Sequence, residues 1–431
     1  MKENLAFLDK IKGSIFLRDA GTAFILKILG AATALGLQLF LVRLLSVNDY
    51  GQYTYILAWA NIIAAVSSLG FSTSIIRFIP EFLRKQEFAK IRGVINTSIY
   101  ITLSTGFILA CIIVPIMYFT ESIEGSSFFF IGIIIPVLAL FQLFARIEKG
   151  KKRMFFAHAP IEVFKNILMA GGLAIFLLFN LKIDLNLTLI IFFTTTIILI
   201  IWHFFELKRG LPSGIFKSKS KYEIQNWIKI SLPFLLINGF MLILNRTDII
   251  MLGIFSSPEE VAIYNVAFKI ATLTTFILTA VSAIAAPTIS DLYFQDKFVE
   301  LRNFAKKTAH LVFWPTLLMT IGIVLFSDFI LLLFGPEYLP GKFLLFILLI
   351  GQLINASVGA VGYYLNMTGY QKDSAKVFAY AALINLVLNP IAIYYYGAIG
   401  AAWVTMFTMA FWNIWLFWLV KKKLAINSSI F

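Results

Sequence analysis

The chain has 431 residues, of which 60% are hydrophobic and 13% charged, with 36 Lys and Arg against 22 Asp and Glu for a net charge of +14. Soluble globular domains carry about 25% charged residues, so this composition excludes water as the main solvent and points to a lipid bilayer. The single cysteine, Cys111, excludes an internal disulfide and a cysteine-based metal cluster, and His158, His203 and His310 show no ligand spacing. No metal site, cofactor or catalytic residue is expected.

A transmembrane helix takes about 20 mostly apolar residues. In chain order such stretches fall near 20–42, 54–76, 94–119, 127–146, 158–180, 185–206, 230–255, 262–287, 308–334, 342–366, 375–396 and 398–420. The expected fold is therefore an all-α integral membrane protein of about twelve spans. The first span is too long for a signal-peptide core, and no small-residue cleavage site follows it, so it reads as the first helix of the mature protein. The longest polar interval, 207–229, has 23 residues, short of the about 50 that an independent domain needs. No separate catalytic or nucleic-acid-binding domain is expected.

Lys and Arg number four in the N-terminal tail, five in 77–92, five in 146–153, six in 208–229, four in 297–307, two in 372–376 and three in 421–423. The alternate connections carry Arg43, Lys182 and Lys342 alone. The positive-inside rule then places both termini of a multi-pass membrane protein in the cytoplasm. The same count explains the net charge, which is spread over seven short segments rather than gathered on one nucleic-acid-binding face.

Two internal echoes divide the chain. LLSVNDYGQY (44–53) resembles FSSPEEVAIY (255–264), at an offset of 211, and GKKRMFFAHAPIEVFKN (150–166) resembles GYQKDSAKVFAYAALIN (369–385), at an offset of 219. The expected organisation is an N-terminal lobe of helices one to six (1–206), a basic cytoplasmic linker (207–229) and a C-terminal lobe of helices seven to twelve (230–431). Two six-helix units with the same orientation form a parallel pseudo-repeat around a central cavity, an arrangement that transporters use for alternating access.

Charges inside the spans are costly, about 2.5–3.5 kcal/mol each on insertion scales, and normally face a bundle interior or water. Four basic residues remain after the loops are counted: Lys27, Lys165, Arg246 and Lys269. Lys27 shares a face with Ala31, Ala34 and Gln38, where it either lines a cavity or snorkels to the surface. Glu162, Lys165 and Asn166 cluster on the fifth span, with Glu162 and Lys165 spaced to pair. The seventh span carries Asn238, Asn245, Arg246 and Asp248 on an arc of about 160° at 100° per residue. Arg246 and Asp248 cannot face each other, so each needs a partner elsewhere or water. Asn265, Lys269, Thr272 and Thr279 share a face of the eighth span. Gln352, Asn355, Gly359, Gly362 and Asn366 stripe the tenth, and Asn385 and Asn389 follow on the eleventh, where amides commonly glue helices together. The excess of cations over carboxylates suits an anionic or phosphate-bearing cargo.

Several stretches resemble the polysaccharide transporter family of O-antigen (Wzx-type) flippases within the multidrug, oligosaccharidyl-lipid and polysaccharide exporter superfamily: RLLSVNDYGQY (43–53), GFSTSIIRFIPEF (70–82), residues 231–270, FGPEYLPG (334–341), GQLINASVGAVGYYLNMTG (351–369) and GAIGAAWV (397–404). The resemblance implies two lobes around a cationic cavity. It also implies export of an undecaprenyl-pyrophosphate-linked repeat unit to the outer leaflet for O-antigen, lipopolysaccharide, capsule or exopolysaccharide assembly. Arg246, Lys27, Lys269 and Lys165 would meet the anionic substrate, with Asp248, Asn245, Asn238, Gln38, Asn265, Gln352 and Asn355 as supporting polar groups. The implied partners are the lipid-linked glycan, membrane lipid, a coupling ion (proton or sodium) and other polysaccharide-assembly proteins. One alternative is an ion-coupled small-molecule antiporter of the same fold, disfavoured by the lack of central carboxylates in the N-terminal half. Another is a membrane-embedded polysaccharide polymerase or ligase, which would need a long outer loop bearing acid, base or Arg residues. Neither a nucleotide-binding nor a glycosyl-transfer motif is present, so transport rather than enzymatic chemistry is expected.

Overall fold

The computed structural model describes residues 2–119 and 128–430, with the side chains of 2–20, 119, 128, 216–217, 236–238, 241, 243 and 283 left aside. Among the described residues every regular element is a helix, as a bilayer demands, because a helix satisfies its own backbone hydrogen bonds where no water is available.

The helices are α1 (Lys2–Leu44), α2 (Val47–Ser67), α3 (Phe71–Arg84), α4 (Phe88–Phe119), α5 (Phe128–Gly150) and α6 (Met154–Ala159). A π-turn at Pro160–Phe164 joins α6 to α7 (Lys165–Leu178), followed by α8 (Leu185–Leu207), α9 (Gly214–Lys217) and α10 (Ile224–Phe255). Then come α11 (Pro258–Thr272), α12 (Thr275–Phe294), α13 (Phe298–Leu325), α14 (Ser327–Phe334), a 3₁₀ turn at Pro336–Gly341, α15 (Lys342–Ser357), α16 (Val361–Met367) and α17 (Gln371–Leu424).

Eight helical segments are long and apolar enough to cross a bilayer, and two bent pairs, α2 with α3 and α11 with the start of α12, supply further spans with bends of 43° each. The 54-residue α17 contains two of the expected spans, folded at Gly397. The remaining expected span, 230–255, lies in α10. On α4, Leu103, Phe107, Ile108, Ile112 and Ile116 are exposed at helical spacing. In water such a stripe would be an interaction or aggregation surface, and here its solvent is lipid.

The chain packs as two compact units, Met1–Ser46 with Trp59–Gly239, and Val47–Ala58 with Phe240–Phe431. Two helices change unit midway: α2 after Ala58 and α10 after Gly239. In unit 1, the interval 207–229 packs against the bundle as well as connecting it. Leu211, Ile215 and Trp227 are buried with Phe71, Phe78, Phe82, Ile91 and Phe144, and Arg92 Nη1 donates to the Ser218 carbonyl at 2.7 Å. Its apolar residues, spaced among the basic ones, explain why the segment folds back instead of behaving as a polar tether.

Unit 1 also contains a buried ion network where α5 and α8 end. Lys151 Nζ lies 2.6 Å from Glu148 Oε1 and donates to the carbonyls of Glu206, Leu207 and Arg209 at 3.0, 3.2 and 2.8 Å. Arg153 bridges Glu148 at 3.2 Å and Glu206 at 2.6 Å. A cation on the last carbonyls of a helix meets both their unmade hydrogen bonds and the negative end of the dipole.

In unit 2, Gly397 breaks α17 with φ 55° and ψ −140°, into arms 371–396 and 398–424. Only glycine occupies that region without strain. The Glu260 carboxylate fills the space a Cβ would take and accepts from Ala398 N at 2.7 Å, capping the second arm.

Candidate functional site

Two polar constellations lie within the spans, one in each unit. In unit 1 the π-turn, which inserts an extra residue into the helical register, carries Glu162. π-bulges of this kind concentrate at functional sites. Asn166 Nδ2 donates to the Glu162 carbonyl at 2.8 Å and to Thr33 Oγ1 at 3.3 Å, while Thr33 Oγ1 donates to the same carbonyl at 3.3 Å. These bonds absorb the polar groups that the irregular turn frees and hold α1 against it.

The Glu162 carboxylate sits 3.9 Å from His158 Nδ1 and within electrostatic range of Lys27, Lys165 and Arg146. Lys149 in turn faces Arg146 and Lys27. Three elements thus bring Lys27, Arg146 and Lys165 to a single carboxylate with a histidine at its edge, and Lys149 stands behind Lys27 and Arg146. Lys27 and Lys165 were expected from the sequence. Arg146 and Lys149 were not, because a charge count assigns both to the cytoplasmic loop; their signal was their position at the very end of an apolar span. The expected Glu162–Lys165 pair is an electrostatic contact, and His158 is the closer partner. Lys27 is exposed and makes no ion pair among the described residues. A concentrated, under-neutralised positive charge is suited to a phosphate or pyrophosphate group.

In unit 2, Asp248 on α10 is 3% exposed. Tyr264 donates to its Oδ2 at 2.8 Å and Thr405 at 2.7 Å. Asn389 donates to Oδ1 at 2.6 Å and Asn385 at 3.4 Å. Asn389 Nδ2 also reaches Asn385 Oδ1 at 3.0 Å, and Asn389 Oδ1 is buried with no hydrogen-bond partner. No Lys, Arg or His pairs with Asp248 among the described residues. A buried carboxylate supported by neutral donors alone retains an unbalanced charge, which is costly in low dielectric. With the free Asn389 oxygen beside it, the cage is chemically suited to a small cation or a proton.

The other expected residues are dispersed. Arg246 is half-buried with no ion pair among the described residues, and Lys269 and Asn245 are exposed. Gln38 and Gln352 are buried, leaving Gln38 Nε2 and Gln352 Oε1 without partners, and Asn355 is half-buried. Asn265 is buried and donates to Tyr50. The Asn238 side chain lies outside the described residues. Tyr264 and Thr405 were not anticipated as Asp248 partners; they belong to other helices, and nothing in the sequence links their spacing to Asp248.

The profile of the family described as "Polysaccharide biosynthesis protein" matches residues 16–293. The chain belongs to that family. A second profile, MatE, matches residues 233–391. Among curated relatives of this family member, the "Probable low-salt glycan biosynthesis flippase Agl15" of Haloferax volcanii is 24% identical over 407 residues, 91% of this chain and 81% of the relative. The "Probable flippase AglR" of the same organism is 29% identical over 170 residues, 39% of this chain and 36% of the relative. Among solved structures, the lipid II flippase MurJ in an inward closed conformation aligns with a TM-score of 0.69 at 16% identity, covering 96% of this chain and 90% of MurJ. An inward-facing multidrug resistance MATE transporter of the MOP superfamily aligns at 0.66 and 14% identity, covering 94% of each. These likenesses establish the fold: this polysaccharide biosynthesis family member is an all-α, multi-pass membrane protein with the fold shared by MurJ and the MATE transporter.

Proposed function

We propose that the protein is a flippase that moves an isoprenoid-pyrophosphate-linked oligosaccharide, with undecaprenyl as the carrier, from the cytoplasmic to the outer leaflet of the inner membrane. It would serve O-antigen, capsule or exopolysaccharide assembly, with both of its termini cytoplasmic. The observation that carries this reading is the cluster of Lys27, Arg146 and Lys165 around Glu162, with Lys149 beside Lys27 and Arg146. Cations gathered inside spans are maintained against a cost, and here they outnumber the carboxylate they face, so a pyrophosphate head offers charge that offsets it. The family match and the flippase names of the relatives support the same class of cargo.

Transport proceeds by alternating access. The cationic cluster receives the phosphate head while the isoprenoid tail stays in the bilayer, and the Asp248 cage takes the coupling ion, sodium or a proton. Ion exchange at Asp248 gives direction to a cycle that needs no nucleotide.

Reconstituted protein in vesicles with a fluorescent isoprenoid-pyrophosphate oligosaccharide tests this, by the rate at which label in the inner leaflet, protected from an impermeant external quencher, becomes quenchable. Wild-type protein should equilibrate the leaflets, and the Lys27→Gln/Lys165→Gln variant should do so at least tenfold more slowly. Equal rates, or uptake of a cationic dye with no flipping of the glycolipid, would overturn the reading.

A further inference from the structure

Neighbouring residues of α11 hold two different buried partners. Tyr264 donates to Asp248 and shares a hydrogen bond of 3.0 Å with Thr405. Asn265 Nδ2 donates to the Tyr50 hydroxyl at 2.9 Å and reaches Thr54 Oγ1 at 3.5 Å. Tyr50, Thr54, Tyr264 and Asn265 are all buried.

Tyr50 and Thr54 lie in 47–58, the piece of chain that leaves unit 1 at Ser46, packs in unit 2 and returns at Trp59. It is clasped there by α11 at further points. Asn48 Nδ2 donates to Glu259 Oε1 at 3.0 Å, and Gly51 packs so closely on the Pro258 carbonyl that any Cβ would overlap it. Asn48 and Glu259 are 211 residues apart, and so are Thr54 and Asn265. This is the offset that relates the sequence echoes 44–53 and 255–264. Two of the clasp's contacts, Asn48–Glu259 and Thr54–Asn265, are therefore made between corresponding residues of the two repeats, while Tyr50–Asn265 and Gly51–Pro258 flank them.

The same helix is tied to the Asp248 cage twice. Tyr264 is in the cage, and Glu260, one turn earlier, holds the break between the arms of α17. Those arms supply Asn385 and Asn389 on one side and Thr405 on the other. Hydrogen bonds to an ionised carboxylate are about twice as strong as neutral ones, so neutralising Asp248 weakens the set that positions α11.

We infer that Tyr264 and Asn265 form a relay by which the charge of Asp248 sets the strength of the clasp between 47–58 and 257–265: tight while the carboxylate is bare, loose when it is neutralised. Tyr50, Thr54 and Asn265 are positioning residues that touch neither cargo nor ion. The inference rests on the reading of Asp248 as the ion site for the identity of the neutralising species alone.

The test is hydrogen–deuterium exchange of the 47–58 backbone in the full-length protein in lipid nanodiscs. Asp248→Asn removes the charge and keeps the shape, and should raise exchange across 47–58 by about tenfold, within the usual range of coupling between sites. In a Tyr50→Phe background, which deletes one hydroxyl, and in an Asn265→Leu background, Asp248→Asn should add less than about twofold, because groups that act through one shared contact are non-additive, whereas independent groups would add in full. No change in exchange on Asp248→Asn, or the full increase in both backgrounds, would overturn the relay. Sodium titration and acidification of wild-type protein report separately on the ion. If neither moves exchange at 47–58 while Asp248→Asn does, the relay stands and the ion assignment falls.

Discussion

Glu162 gives the most discriminating test of the cationic cluster, because the two roles open to it predict opposite signs. If the surrounding cations exist to bind an anion, Glu162 is a competitor for them, and Glu162→Gln should tighten cargo binding. A unit charge about 7 Å from a bound phosphate contributes about 2.4 kcal/mol at an effective dielectric of about 20. The Glu162 side chain is 37% exposed, so solvent and salt screening reduce this to about 1 kcal/mol, or about fivefold in Kd. The backbone role is untouched, since Thr33 and Asn166 bond to the Glu162 carbonyl rather than its carboxylate, and the variant should fold normally. Binding of an isoprenoid pyrophosphate to protein in nanodiscs, measured at low and high salt, reads the effect; the gain should shrink as salt rises. A Glu162→Gln variant that weakens binding, or that unfolds, would refute the argument and identify the carboxylate as a structural partner of its cations.

Lys151→Met should be among the most damaging single substitutions in unit 1: it removes the closer partner of Glu148, whose side chain is 1% exposed, and leaves Arg153 alone to serve both Glu148 and Glu206. Breaking a buried pair costs about 3–5 kcal/mol, a fall of roughly 10 °C in the melting temperature of detergent-solubilised protein for a unit of this size, with Glu148→Gln in the same chain restoring part of the loss. Gly397→Ala should destabilise by about 1–3 kcal/mol because of its backbone conformation and should release the second arm of α17 from Glu260, seen as faster proteolysis near residue 397. Asp248→Asn should keep the protein folded and able to bind glycolipid while making flipping insensitive to sodium and pH; retained ion stimulation would remove Asp248 from the coupling role.

The spans were legible because twenty apolar residues in lipid have few alternatives to a helix. Their bends were less so. The turn at Leu69 and Gly70, with φ of 43° and 83°, interrupts an apolar run that reads as continuous, and the π-turn at Pro160 follows from packing of α1 against Glu162. Periodicity placed Lys27 and Lys165 on polar faces but could not bring them to Arg146 and Lys149, since contacts between helices are set by side-chain fit rather than by spacing along one of them. The amides Asn385 and Asn389 read as helix glue in isolation. Their i, i+4 spacing on one face instead presents both to Asp248, and a buried carboxylate on another helix leaves no trace in the local sequence of the residues that will satisfy it. The echo between 44–53 and 255–264 was visible, whereas its consequence, that the two copies pack on each other, required coordinates.

The account depends most on cargo and direction, and one measurement addresses both: deletion of the gene in its host, followed by determination of the leaflet in which the lipid-linked repeat unit resides. The account predicts loss of surface glycan, accumulation of the repeat unit in the cytoplasmic leaflet, and rescue by the wild-type gene but not by Lys27→Gln/Lys165→Gln expressed at the same level. Unchanged surface glycan with increased sensitivity to cationic drugs would contradict it and establish a small-molecule antiporter in its place.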